Sequence, residues 1–152
     1  MNFLRHFKNR NGDAERGQAL LEFVLILPFL FIILAALIYF GRLIYANIAL
    51  NMASYDACRA AVESLRRDDG QAEGLTAGRE TLDGFSMNAG SARLTVTPQG
   101  QWDRGAWVRC RTDYTLKVND IPMVQLFHPG GAVPLSATRW SRIETWRSWW
   151  ER

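Results

Sequence analysis

Histidine is nearly absent from this chain. There are two in 152 residues, His6 and His128. His128 stands beside Pro129 and Gly130, with no cysteine or second histidine near it. Metal centres draw on clustered imidazoles, thiolates and carboxylates, so none is expected. No glycine-rich phosphate loop precedes a helix, and no Gly-x-Ser-x-Gly elbow occurs. Neither an enzymatic function nor a cofactor is expected from that census. Internal repeats and low-complexity tracts are also missing. Cysteine is scarce, limited to Cys58 and Cys110. Net charge is small beyond the N-terminus. The net charge is +3, and Arg5, Lys8, Arg10 and Arg16 against Asp13 and Glu15 place +2 of it in residues 1–17. Nucleic-acid binding wants a basic stripe on a folded surface, so this distribution predicts no such partner.

What is present is one long apolar run. Phe23 to Gly41 carries no charge over 19 residues. At ~1.5 Å per residue it reaches about 28 Å, close to the ~30 Å hydrocarbon core of a bilayer. It reads as a single membrane span. The basic flank before it predicts a cytoplasmic N-terminus and an extracytoplasmic C-terminus, a bias that Arg42 dilutes without reversing. An ordinary secretory signal fits less well. Its apolar core is about 7–15 residues and ends at a small-residue cleavage site. Here the run passes through Ile38-Tyr39-Phe40 into a continuing helical pattern. Length suggests one domain plus this anchor.

The helical signal runs from Gln18 to about Arg67, with Pro28 tolerated inside the membrane part. Fifty residues of helix measure ~75 Å. Its second half is amphipathic. Ile44, Ile48, Met52, Tyr55, Cys58, Val62 and Leu65 recur at steps of three or four and form one stripe. Alanines from Ala46 to Ala61 keep the helix slim. Arg66-Arg67-Asp68-Asp69-Gly70 reads as its end. A weaker helix is expected over residues 72–87, with Gly74, Gly78 and Gly84 against it. Strands follow. Ala92, Leu94 and Val96 alternate with polar residues until Pro98. Ala106 to Val118 alternates most clearly. Asn119-Asp120 turns the chain, Ile121 to Phe127 leads into the loop His128-Pro129-Gly130-Gly131, and Val133 to Trp140 makes a last strand. The fold class is α+β, a long N-terminal helix with a small antiparallel-sheet head.

The most specific segment is Arg16-Gly17-Gln18-Ala19-Leu20-Leu21-Glu22-Phe23. A basic stretch ends in glycine, and a lone carboxylate breaks the apolar run five residues later. An acid costs about 2.5–3.5 kcal/mol at mid-membrane, and less near its edge. This pattern, with Leu27-Pro28 further on, resembles the TadE-like family, minor pseudopilins of the Tad (tight adherence, Flp) pilus machinery. The specific likeness covers about residues 16–62. It implies a pilin-like plan: leader 1–17, transmembrane helix 18–41, amphipathic helix 42–67 and head 72–152. It also implies cleavage by a prepilin peptidase between Gly17 and Gln18. Glu22, with Phe23 and Pro28, is then expected at subunit contacts, where pilins of this kind pair the acid with a neighbour's freed N-terminal amine. A mature N-terminal Gln18 can cyclise, which would leave only a hydrogen bond. A simple anchor with a snorkelling Glu22 is the plainer reading. The implied partners are the peptidase, a major Flp-type pilin, other pseudopilins, the inner-membrane secretion platform and membrane lipid. The implied location is the bacterial inner membrane, single pass with a periplasmic head, or the pilus itself. Two rivals stay open. One is a conventional type IV or type II secretion pseudopilin, although those usually read Phe-Thr-Leu-Ile-Glu after the glycine. The other is an uncleaved single-span protein with a ligand-binding head.

Two further features follow. A pilin-like head packs its sheet on the helix, which would bring Cys58 on the helix stripe to Cys110 on the strand's apolar face. An oxidising compartment would let that bond persist; two separate buried thiols are the alternative. The C-terminal stretch holds Trp140, Trp146, Trp149 and Trp150 among arginines. Indoles with cations suit a membrane interface or a partner groove. Packing on the domain's own sheet is preferred, because a small core needs large apolar side chains.

Overall fold

A computed structural model of the chain describes residues 10–120, 124 and 130–143. Helix α1 runs Arg10–Glu63, α2 runs Arg67–Gly84, and a single 3-10 turn spans Ala89–Ser91. Strands β1 (Arg93–Gln99), β2 (Trp107–Lys117) and β3 (Ala132–Arg142) form one antiparallel sheet in the order β1-β2-β3. The arrangement is α+β, with α1 lying across one face of the sheet and α2 beside it.

α1 differs from the sequence expectation at both ends. It reaches back to Arg10, through Asn11 and Gly12, so the described part of the leader is helical. Extending an existing helix fixes one residue per bond gained, which lets weak helix formers join. At the other end it stops at Glu63. Asp68 and Asp69 do not close α1; they lie in the first turn of α2, where carboxylates suit the helix dipole. Pro28 sits inside α1 without ending it.

The glycines expected to weaken α2 are what brings it close to α1. Gly70, Gly74 and Gly78 recur every four residues and are buried. A Cβ on Gly74 would lie 2.7 Å from the Ala57 carbonyl oxygen, and one on Gly70 would lie 2.6 Å from that of Ala61. A Cβ on Gly78 would meet the Ala57 Cβ at 3.1 Å. Small residues face small residues, so the backbones approach to a distance that larger side chains forbid. Thr81 donates to Asp56 (2.8 Å) and the Tyr45 hydroxyl to the Phe85 carbonyl (2.9 Å), fixing the far end of α2 on α1.

The sheet places alternate residues of β2 against the helices: Val108, Cys110, Thr112, Tyr114 and Leu116. Ser54 and Thr112, both fully buried, share a 2.8 Å hydrogen bond between α1 and the sheet. It lies between two apolar clusters, one around Ala57, Val62 and Val108, the other around Leu50, Ala53 and Leu82. Buried polar pairs of this kind fix register, because a slip would strand both hydroxyls. β1 continues through Pro98 rather than stopping before it. As an edge strand of the described sheet it has less need of the missing N–H. β3 also runs two residues past Trp140. Val118 donates to the Gly131 carbonyl (3.0 Å), where Gly131 takes a positive φ of 60° to turn the chain into β3.

Cys58 and Cys110 are joined by a disulfide, with Cα atoms 5.5 Å apart and a sequence separation of 52. The bond ties the middle strand to α1. Chain-entropy reasoning gives a loop of that length about 4 kcal/mol. Alkylation without reductant is expected to leave both sulfurs unmodified, and Cys58→Ser with Cys110→Ser is expected to lower unfolding stability by about 2–5 kcal/mol. A second expectation separates close packing from helix propensity. Gly84 meets nothing within 4 Å, so Gly84→Ala should be neutral or stabilising by up to about 1 kcal/mol. Gly74→Ala should instead destabilise by about 1–3 kcal/mol, read by denaturant unfolding of the detergent-solubilised chain.

Candidate functional site

α1 presents two faces of opposite character. Ala46, Ala49, Ala53, Ala57 and Ala61 are buried under the head. Ile44, Ile48, Met52 and Tyr55 are not. Each is half exposed or close to it: 60%, 50%, 50% and 54%. The stripe expected beneath the head therefore faces outward, with only Cys58 and Val62 of it buried and Leu65 beyond the end of the helix. The physical reason is distance. Packing α2 and a sheet closely on one helix selects its slimmest side, and the large side chains are left on the other.

This outward stripe does not end at the membrane span. Tyr55, Met52, Ile48, Ile44, Gly41, Leu37, Leu34, Leu30, Ile26 and Phe23 follow one another at steps of three or four along α1. All are exposed. Glu22 adjoins the lower end and is exposed as well. The whole face extends roughly 50 Å at 1.5 Å per residue. Among the described residues α1 is the one helix long and apolar enough to cross a membrane. Lipid can cover the Phe23–Gly41 part. From Ile44 to Tyr55, roughly 17 Å of helix, the stripe lies past that span. Exposed apolar surface of this kind marks a protein contact.

At the other end stand the residues singled out in the motif. The Gln18 side-chain amide donates to Glu22 Oε1 at 3.3 Å, one turn along the helix. Gly17 lies within α1, and a Cβ there would meet nothing within 4 Å. A mid-helix glycine costs about 1 kcal/mol relative to alanine. The fold gives this glycine no internal reason, whereas Gly70, Gly74 and Gly78 each have one. Phe23 is 60% exposed, and Pro28 is exposed too.

Just beyond the span, Arg42 donates to both carboxylate oxygens of Asp120 at 2.7 and 2.8 Å. Its guanidinium holds the Asp120 carboxyl below the usual carboxylate range, so the tie is intact at neutral pH. It links the turn after β2 to the helix and holds that end of the head on α1. Trp140 belongs to β3, on the sheet's outer face, and does not enter the core expected of it. Trp146, Trp149 and Trp150 lie outside the described residues, as does His128. Among the described residues no three metal-ligating side chains gather in one place. The sequence reading missed the outward direction of the helix stripe. The signal was present in the alanine spacing, which marks the face that close packing selects.

Residues 17–59 match the family described as TadE-like protein. The match opens at Gly17, contains Glu22, Phe23 and Pro28, and closes at Arg59, before the sheet begins. It covers both the span and the outward stripe. No curated protein and no solved structure matches the chain. The TadE-like segment thus coincides with the helix that, among the described residues, is long and apolar enough to cross a membrane.

The two faces of α1 make different demands on stability. Ile44→Ser and Ile48→Ser are each expected to change unfolding free energy by no more than about 0.5 kcal/mol, as surface positions do. Leu50→Ala, on the buried side at 1% exposure, is expected to cost about 2–5 kcal/mol in the same denaturation measurement.

Proposed function

We propose that this chain is a minor pseudopilin of a Tad-type pilus, processed after Gly17 and assembled through the outward face of its long helix. The observation that carries this reading is the unbroken apolar stripe that leaves the span and continues, uncovered, to Tyr55. A simple anchor needs an apolar span. It does not need four large apolar side chains held in water beyond it. A neighbouring helix laid along the same face would bury the stripe from end to end.

Glu22 fits this geometry. It stands at the lower edge of the stripe, so a helix packed there would bring its own N-terminus to the acid. Opposite charges attract strongly where water is excluded, and an unpaired one is costly. The pair would set the axial register between subunits. Gly17 supports the processing step. Its cost within the helix is not offset by any close contact, and a peptidase that accepts only a small residue before the cut would supply the missing reason. Cleavage there frees Gln18 as the new N-terminus. The tied head, held by Asp120 on Arg42 and by the disulfide, would then sit outside the cytoplasm on a rigid stem.

Intact-mass analysis of the membrane-extracted protein is expected to show residues 1–17 removed, and Gly17→Trp to leave the precursor uncut. A mature chain beginning at Met1 would overturn the reading. Glu22→Leu should still insert, because it makes the span more apolar, yet lose cross-links to other pilus subunits. Ile48→Glu should retain its disulfide and its cleavage while losing the same cross-links. Unchanged cross-linking and piliation in both variants would reduce α1 to an anchor.

A further inference from the structure

The outer face of the sheet carries chemistry that assembly through α1 does not use. Among the described residues five cations stand on it, Arg93, Arg109, Arg111, Lys117 and Arg142, against the single acid Asp113. Outside the leader the chain is nearly neutral in sum, and strand pairing sets these five cations on one face of the sheet. Arg111 is paired with Asp113 at 2.8 Å, and Arg142 donates to the Gly105 carbonyl at 2.7 Å. Arg109 is less committed. Its Nε is buried without a hydrogen-bond partner among the described residues, and its guanidinium lies 5.7 Å from the centre of the Trp140 ring.

Register sets two indoles among these cations. Trp107 pairs with Arg142 across β2 and β3, and Arg109 pairs with Trp140. The result is a checkerboard of tryptophan and arginine. Trp107 and Trp140 occupy its diagonal, a relation that places Cα atoms about 7–8 Å apart. Each is 51% exposed. Neither serves as an interface belt for the anchor. Cys110, next to Arg109, is bonded to Cys58, which lies sixteen residues beyond Arg42 on α1. That separation is about 24 Å of helix away from the end of the span.

We propose that this face binds single-stranded nucleic acid, with neighbouring bases stacked on Trp107 and Trp140 and phosphates held by Arg109 and the cations around it. A nucleotide repeats a flat π-system and one negative charge. The face repeats an indole and a cation. Aromatic side chains on adjacent strands of an open sheet are a recurring platform for unpaired bases, and flanking cations track the backbone. An acidic sugar chain offers the charge without the π-system. The membrane surface lies at the other end of the head.

The test uses the full-length chain in detergent micelles and a fluorescently labelled short oligothymidylate, read by anisotropy. Saturable binding is expected, weakening steeply as salt rises from about 50 to 200 mM. Trp107→Ala and Trp140→Ala should each weaken it by about 5- to 100-fold, the range that loss of one stacked base produces. Trp140→Phe should recover most of the loss, because a phenyl ring still stacks. Arg109→Gln should reduce the slope of log affinity against log salt by about 0.7, one phosphate contact. Formation of the Cys58–Cys110 bond, read by mass after alkylation, reports that each variant has folded. If an alanine variant fails that check, the unaltered chain decides by preferring the oligothymidylate over a blunt duplex of equal length. No binding by the unaltered chain overturns the proposal. So does binding that Trp140→Ala leaves unchanged in a folded protein. Equal binding to the duplex, to a polyuronate or to anionic vesicles would show a general polyanion surface and would also overturn it.

Discussion

One helix carries a slim face and a bulky face, and the rest of the structure follows from the head packing on the slim one. α1 turns its alanines to its own head and its isoleucines outward. The alanine side lets the glycine face of α2 and the inner face of the sheet approach until backbone carbonyls are in contact range of any added Cβ. Close packing is a strong source of dispersion energy per unit area, because interiors with no voids lose no contacts. A head whose described residues form three strands and one α-helix has little volume with which to build a core. Using the slim side of α1 makes that small volume sufficient, with the disulfide and the Ser54–Thr112 bond fixing the position of the sheet.

The consequence is that the bulky apolar side of α1 stays free. In an isolated soluble domain such a stripe would be a liability. On a helix that leaves a membrane it is continuous with lipid-facing surface, so one pattern serves both media. In the assembly proposed above no separate docking module is needed: the face that meets lipid would also meet a neighbouring helix, and Glu22 at its lower edge would supply a point charge that an apolar stripe lacks. Apolar packing alone is tolerant of axial slips by a turn, while a buried charge pair is not. The Arg42–Asp120 tie holds the head on α1 just past the span, so the head cannot swing down over the stripe without breaking two charge-assisted hydrogen bonds.

The sheet adds a second division of labour. Its inner face contributes Val108, Cys110 and Thr112 to the core. Its outer face collects the arginines that appear scattered along the chain. Arg93 and Arg111, like Arg109 and Arg142, are far apart in sequence, and pairing in register makes each pair diagonal neighbours. A composition count cannot see such a patch, since cations on one face are balanced in the sum by acids on helices elsewhere.

The apolar span, the long helix, the strands and the α+β class are legible in the chain itself. These depend on local periodicity: an uninterrupted apolar run, steps of three and four, and alternation by two. The Gly17–Glu22 motif was legible for the same reason, as its members lie within two turns of one helix. The pairing of Cys58 with Cys110 was expected from a helix stripe that mostly faces outward; Cys58 meets the sheet because it is buried with Ser54 and Val62 on the head side of α1. What tertiary structure decided is which face does what. A stripe of isoleucine and methionine and a stripe of alanine are both apolar. The choice between them rests on how closely α2 can approach, and that depends on Gly70, Gly74 and Gly78 in a different element. The same glycines, read locally, argued against the helix they enable. Helix ends moved because propagation from a long helix overrides weak residues at Arg10–Gly12, while the acids at Asp68–Asp69 had a second dipole to serve. The arginine and tryptophan checkerboard needed strand register. Periodicity is local and is written in the chain; close approach and register are relations between distant segments, and they exist only when the chain is folded.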